Sequence, residues 1–205
     1  MKTSWLWLIL LLALTALLFG DDDEAACDDG QCSAIHAPLQ LSAAELPSAV
    51  TLAPAVDIPP ALRTPNWGGG SCVHASTMHL LHWQGHHELA EWWRATYSGG
   101  EYSTRLHERL DAAQLKFAYT IDGDPAFLEW ALRTRRGAGI TYFPNHAVNL
   151  VHLDAERAGL LDNNRLDHVI WIPRDEFMTR WQAYGGWAWT LVYNPPPPVP
   201  FLNQE

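Results

Sequence analysis

A change of hydrophobic period partway along the chain constrains its fold more than any other feature. Up to about Arg135 the apolar residues recur at helical spacing, and beyond it they alternate. A glycine turn, Gly68-Gly69-Gly70, leads into Ser71-Cys72 and a helix to about Trp83. Glu88 to Tyr97 reads as a second helix. Tyr102 to Leu115 reads as a third, with Leu106 and Leu110 one turn apart. Asp124 to Arg135 is a fourth, with Asp124 as N-cap, Pro125 in the first turn and a stripe of Phe127, Leu128, Ala131 and Leu132. Strands are then expected at Gly139 to Phe143, His146 to Leu153, Leu160-Leu161, Val169 to Ile172 and Trp187 to Tyr193. One helix, Asp175 to Tyr184, interrupts them and is stopped by Gly185-Gly186. A helical half followed by an antiparallel sheet is an α+β fold.

The flanks of this region have a different composition. Residues 1–20 carry Lys2 as their one charge, then an apolar run from Trp5 to Phe19, the length of a secretion signal or a short N-terminal anchor. Lys2 on one side and Asp21, Asp22, Asp23 and Glu24 on the other predict export of everything that follows, to the periplasm or outside the cell. Residues 21–56, acidic and then rich in Ala and Pro, read as a linker or propiece. Residues 57–193 form the expected domain, and 194–205 a proline-rich tail. The net charge of −10 is half a property of the linker: residues 30–205 hold seventeen acids against twelve bases. Nothing in that balance offers a basic footprint for nucleic acid. The membrane is expected to be touched through residues 1–20 alone.

Three cysteines in an exported chain leave at least one thiol unpaired. Cys27 and Cys32, in CDDGQC, are near enough to close a small disulfide loop, although sequence does not set connectivity. Cys72 then stands alone beside the glycine turn. A thiol at a helix N-terminus meets unpaired N–H groups and the positive end of the helix dipole, which favour the nucleophilic thiolate. A nucleophile needs a base, and the base an orienting group. His146 opens the strand HAVNLVHL, the chain turns at Asp154-Ala155-Glu156-Arg157, and it returns as Leu160-Leu161-Asp162-Asn163-Asn164. In an antiparallel hairpin the end of the second strand lies beside the start of the first. Asp162, Asn163 and Asn164 are all candidates to orient His146. Asn66, across the glycine turn, is a candidate donor to an oxyanion.

Gly70-Ser71-Cys72-Val73-His74-Ala75-Ser76 resembles the GSCWAFS stretch around the nucleophile of the papain-like cysteine peptidases. The order Cys72, His146, Asp162 is that of the superfamily, with the last two 16 residues apart. The short Cys-to-His separation looks more like the compact branch that holds the double-glycine leader peptidases, family thirty-nine of the cysteine peptidases. Asp is the third member in that branch, so the resemblance favours Asp162. The stretch IPRDEFMTRWQAYGGWAWTL resembles it too. The family's oxyanion glutamine falls at Asn66, one methylene shorter. The resemblance implies a papain-like fold over about Asp57 to Val192, a Cys-His-Asp triad, a thioester acyl-enzyme, a peptide or protein substrate and no cofactor.

Other readings compete. A transglutaminase-like acyl transferase uses the same triad. A catalytically silent papain-like binder would use Trp83, Trp92, Trp93, Trp130, Trp181, Trp187 and Trp189 as an aromatic groove, although core packing suits most of them. His79, His82 and His86, with His74 and His87 nearby, are spaced to share a helix face and could hold zinc, unless Gly85 ends the helix first.

Overall fold

A computed structural model describes residues 55–197. The expected signal or anchor segment, the candidate Cys27–Cys32 pair, nearly all of the expected linker and the end of the tail lie outside the described residues. The element order is α1 (Cys72–Trp83), α2 (His87–Thr96), α3 (Ser103–Ala112), β1 (Phe117–Thr120), α4 (Pro125–Arg133), β2 (Ala138–Phe143), β3 (His146–Leu153), β4 (Arg157–Asp162), β5 (Arg165–Pro173), α5 (Arg174–Ala183) and β6 (Ala188–Leu191). A short 3-10 turn, Pro60–Leu62, precedes α1. Six strands make one sheet in the order β1-β6-β2-β3-β4-β5, and every pairing is antiparallel. The fold is α+β, as the change of period predicts.

All twelve residues of α1 are buried. A helix without a solvent face is a central element, and α1 packs on β3, β2 and α2. One hydrophobic cluster joins α1, α2 and α3 through Val73, Leu81, Trp93, Leu106 and Leu110. A second joins α4, α5 and the sheet through Leu128, Leu132, Phe177 and Trp181. Strand β6 divides its side chains between them: Trp189 and Leu191 enter the first, and Ala188 the second. That alternation is the period of two read from the sequence. At α4 the N-cap is also as expected, with the Asp124 carboxylate accepting the Ala126 N–H at 2.9 Å.

Several boundaries differ from expectation. The third helix stops at Ala112, and Gln114 adopts a left-handed φ of 56° there. The chain then forms β1, which pairs with β6 from Phe117↔Leu191 to Thr120↔Ala188. Strands β4 and β5 also extend beyond their apolar cores, to the exposed Arg157 and Arg165.

Candidate active site

Cys72 is the first residue of α1, and the turn before it depends on glycine. Gly68, Gly69 and Gly70 take φ values of 101°, 56° and 83°, a run that side-chain-bearing residues rarely adopt. A network of short bonds fixes the turn. The Ser71 N–H donates to the Gly68 carbonyl at 3.0 Å, and the Trp67 N–H to Ser71 Oγ at 3.1 Å. Ser71 Oγ in turn donates to Asn66 Oδ1 at 2.5 Å. The next loop lies directly on the turn: a Cβ at Gly100 would come within 2.2 Å of the Gly69 carbonyl oxygen. The thiol therefore sits on a rigid shelf, 4% exposed.

Strand β3 brings His146 into the same cleft as that thiol. The Ala147 N–H also points at Cys72 Sγ, 3.4 Å away. On its other side His146 Nε2 meets Asp162 Oδ1 at 2.7 Å. A carboxylate only accepts, so Nε2 carries the proton and Nδ1 is left for the thiol. The Asn164 N–H donates to the same Asp162 oxygen at 2.8 Å.

Electrostatics follow from these contacts. Burial pushes the Cys72 thiol up, but the His146 and Ala147 hydrogen bonds outweigh it and leave it below its ordinary value. Burial pulls His146 down, and the bonds to Asp162 and Cys72 overcome that and hold it at about 9. Burial likewise raises Asp162, while His146 and the Asn164 N–H bring it below the usual carboxylate range. All three shifts favour one state: thiolate, imidazolium, carboxylate.

Register separates the three residues that the sequence leaves open. The last β3–β4 pair is Asn149↔Leu161. Continued outward, the ladder sets Asp162 across from Val148 and Asn163 across from Ala147. Alternation then gives Asp162 and His146 the same parity, with Asn163 opposite. Asp162 accordingly bonds His146, and Asn163 turns to α1. Asn164 stays exposed, its amide 3.3 Å from His146 Nε2.

Asn66 is half-buried across the glycine turn. Its Oδ1 accepts from the Gly68 N–H at 3.2 Å and from Ser71. A backbone N–H can only donate, so this bond fixes which way the amide faces and leaves Nδ2 unused by the turn. Asn66 is not among the residues lining the cleft.

That cleft holds about 660 Å³. Cys72, His146 and Ala147 line it, together with Gly69, Gly100, Glu101 and Tyr102 and with Thr141, Phe143, Pro144 and Tyr184. Tyr102 is 77% exposed and Tyr184 41%, so both rings stand at the rim. Glu101 is a residue that sequence reasoning does not single out. Its carboxylate pairs with Arg109 at 2.7 Å, and that bond, against the opposing effect of burial, holds it below the ordinary range.

The zinc reading of the histidines does not survive the geometry. Helix α1 ends at Trp83, and Gly85 turns the chain at a φ of 82°, so His86 falls off the helix face. His79 is sealed: Nδ1 bonds Asn149 Oδ1 at 2.8 Å and Nε2 accepts the Thr64 N–H at 2.7 Å. Among the described residues no group of three His, Cys, Asp or Glu is placed to hold a metal. The aromatic groove is not formed either. Trp83, Trp93, Trp181, Trp187 and Trp189 are buried, and Trp92 is the one tryptophan of that set that is exposed.

No family model matches the chain, and no curated protein matches it. Solved structures do. A protein from Bacillus anthracis described as a C39-like peptidase superposes with a TM-score of 0.54 at 15% identity, over 71% of this chain and 99% of that one. A double-glycine motif protease from an AMS/PCAT transporter, solved with a leader peptide, gives a TM-score of 0.45 at 16% identity, over 68% and 95% of the two chains. The chain has the papain-like fold of a C39-like peptidase.

Proposed function

We propose that this chain is an exported thiol hydrolase that cleaves a peptide or amide bond through Cys72, His146 and Asp162. The observation that carries this reading is the 2.7 Å bond between His146 and Asp162, with His146 and Cys72 lining one cleft. Export is supported by the charge pattern around residues 1–24, and a peptide or protein substrate by the peptidase-like fold.

The chemistry follows from the ion pair. The Cys72 thiolate attacks the substrate carbonyl carbon, a C–S bond forms, and the carbonyl electrons move to oxygen. The Cys72 backbone N–H, free of any helical partner because it opens α1, is one donor to that oxyanion. The second would be Nδ2 of Asn66, which the turn leaves unused although Asn66 does not line the cleft. As the oxyanion collapses the C–N bond breaks, and the His146 imidazolium gives its proton to the leaving amine. The product is a thioester on Cys72. Neutral His146 then takes a proton from water, whose oxygen attacks the thioester. The acid leaves and the thiolate–imidazolium pair returns. Asp162 keeps Nε2 protonated and the ring aimed throughout.

Incubation of the purified chain with an unfolded protein, read as new N-termini by mass spectrometry, tests this. Cleavage is expected for the natural sequence and none for Cys72→Ala. Equal product from both would overturn the proposal. Adding a primary amine separates acyl transfer, which would attach the amine to the substrate, from hydrolysis.

A further inference from the structure

We propose that Asn163 is a positioning residue for this reaction, one amide that fixes the nucleophile helix, the base strand and the oxyanion turn against each other. The inference rests on the thiol-hydrolase reading above. Asn163 is 1% exposed, and its Nδ2 donates to the Cys72 carbonyl at 3.1 Å, the Ala147 carbonyl at 2.8 Å and Ser76 Oγ at 3.0 Å. Its own backbone carbonyl accepts the Asn66 N–H at 2.8 Å. These four contacts reach every segment that the chemistry uses. Cys72 carries the thiol, Ala147 follows the base, and Asn66 holds the candidate oxyanion donor. Ser76 lies one turn along α1 from Cys72, so two bonds to α1 fix its rotation as well as its distance.

The amide's orientation is not arbitrary. Two carbonyl oxygens face it, and both can only accept, so Nδ2 must point at them. Two N–H groups serve three acceptors, and one bond is shared. The other end of the amide, Oδ1, is buried with no partner. Burying an unpaired acceptor is unfavourable, and a residue kept for packing alone would not carry it. The donors explain why an amide stands here. Ala147 closes the arrangement: its carbonyl is held by Asn163, and its N–H points at Cys72 Sγ. Movement of Asn163 therefore changes the placement of thiol and imidazole together.

The test is the pH dependence of Cys72 alkylation by iodoacetamide, with kcat and KM for peptide cleavage measured beside it. The natural sequence should alkylate below the pH range of a free cysteine. In Asn163→Ala, and in Asn163→Asp, which keeps the shape but loses the N–H donors, the acid limb should move up by about one pH unit. The kcat should fall about 100-fold with KM little changed, the scale of a 1 Å misplacement. Thr190→Val on β6, which removes a buried bond to the Gly137 carbonyl, serves as a control for lost stability alone and should keep the natural profile. Asn163 variants that lose stability yet keep the natural profile and kcat would overturn the inference. So would loss of a cooperative unfolding transition in both variants, which would assign Asn163 to the fold and not to the site. A natural chain that alkylates like free cysteine would instead sink the thiol-hydrolase reading itself.

Discussion

Two histidines at opposite ends of the same helix–strand contact have nearly the same local chemistry and opposite behaviour. His79, on α1, bonds a side-chain oxygen of Asn149 on β3. His146, at the start of β3, bonds a side-chain oxygen of Asp162 on β4. Burial drives His79 down to about 4, and the Asn149 bond offsets only part of that. His146, half in the cleft, is held at about 9 by a carboxylate on one side and a thiol on the other. A neutral amide orients a ring, whereas a carboxylate orients it and charges it. His79 is a strut in the core; the proposed reaction asks His146 to hold and release a proton.

The comparison breaks most sharply at Asp162→Asn, which gives His146 the kind of partner His79 has. Its pKa should fall from about 9 toward the ordinary imidazole value, and kcat should drop about 10⁴-fold, as loss of the carboxylate does in the Ser-His-Asp template. Steady-state kinetics and an NMR titration of the ring read the two effects. An unchanged titration would place the charge elsewhere. Next in size, Asn66→Ala should cut kcat by about 10²–10³ while leaving Cys72 alkylation unchanged, because an oxyanion donor acts only once the carbonyl is attacked. Equal loss in both assays would make Asn66 a support of the turn.

The smallest effect is on stability, where the two regions pull in opposite directions. His79, and His74 beside Trp93 and Tyr97, are lowered to about 4 chiefly by burial. Between that value and the unfolded value of about 6.5 the unfolded chain binds protons that the fold excludes. Their contribution is complete above about 6.5 and lost as pH falls through about 4. His146 is raised, so its contribution is complete below about 6.5 and lost as pH rises through about 9. The lowered Cys72 opposes that alkaline loss, because its contribution grows with pH up to the unfolded thiol value of about 8.5. Urea midpoints should therefore fall at the acid end and change little between about 6.5 and about 8.5; a matching alkaline fall would mean that folded Cys72 keeps its proton.

The sequence made the site's chain order legible and left its register open. Asp124 with Pro125, and the glycine run before Cys72, are local signals, and both elements start where those signals stand. Strand β1 was hidden because nothing local marks the end of α3: the left-handed residue there is Gln114, where a glycine would have been conspicuous. Choosing Asp162 over its neighbours needed the parity of β3 and β4, which the hairpin's apolar residues do not set to a single residue. Asn149 inside the apolar run of β3 was a readable hint, since a buried amide needs partners, but only tertiary contact names them as His79 and Ser76. Asn163 had no such hint, because its role depends on which way that parity turns it.

Ultraviolet absorbance near 240 nm, where thiolate absorbs and thiol does not, reads the proposed Cys72–His146 ion pair most directly. The difference between the natural chain and Cys72→Ser, followed against pH, gives the thiolate fraction of Cys72. The midpoint should lie well below the free-cysteine value of about 8.5 and move up in Asp162→Asn. A midpoint at or above 8.5 in the natural chain would mean that burial wins and Cys72 is an inert core thiol.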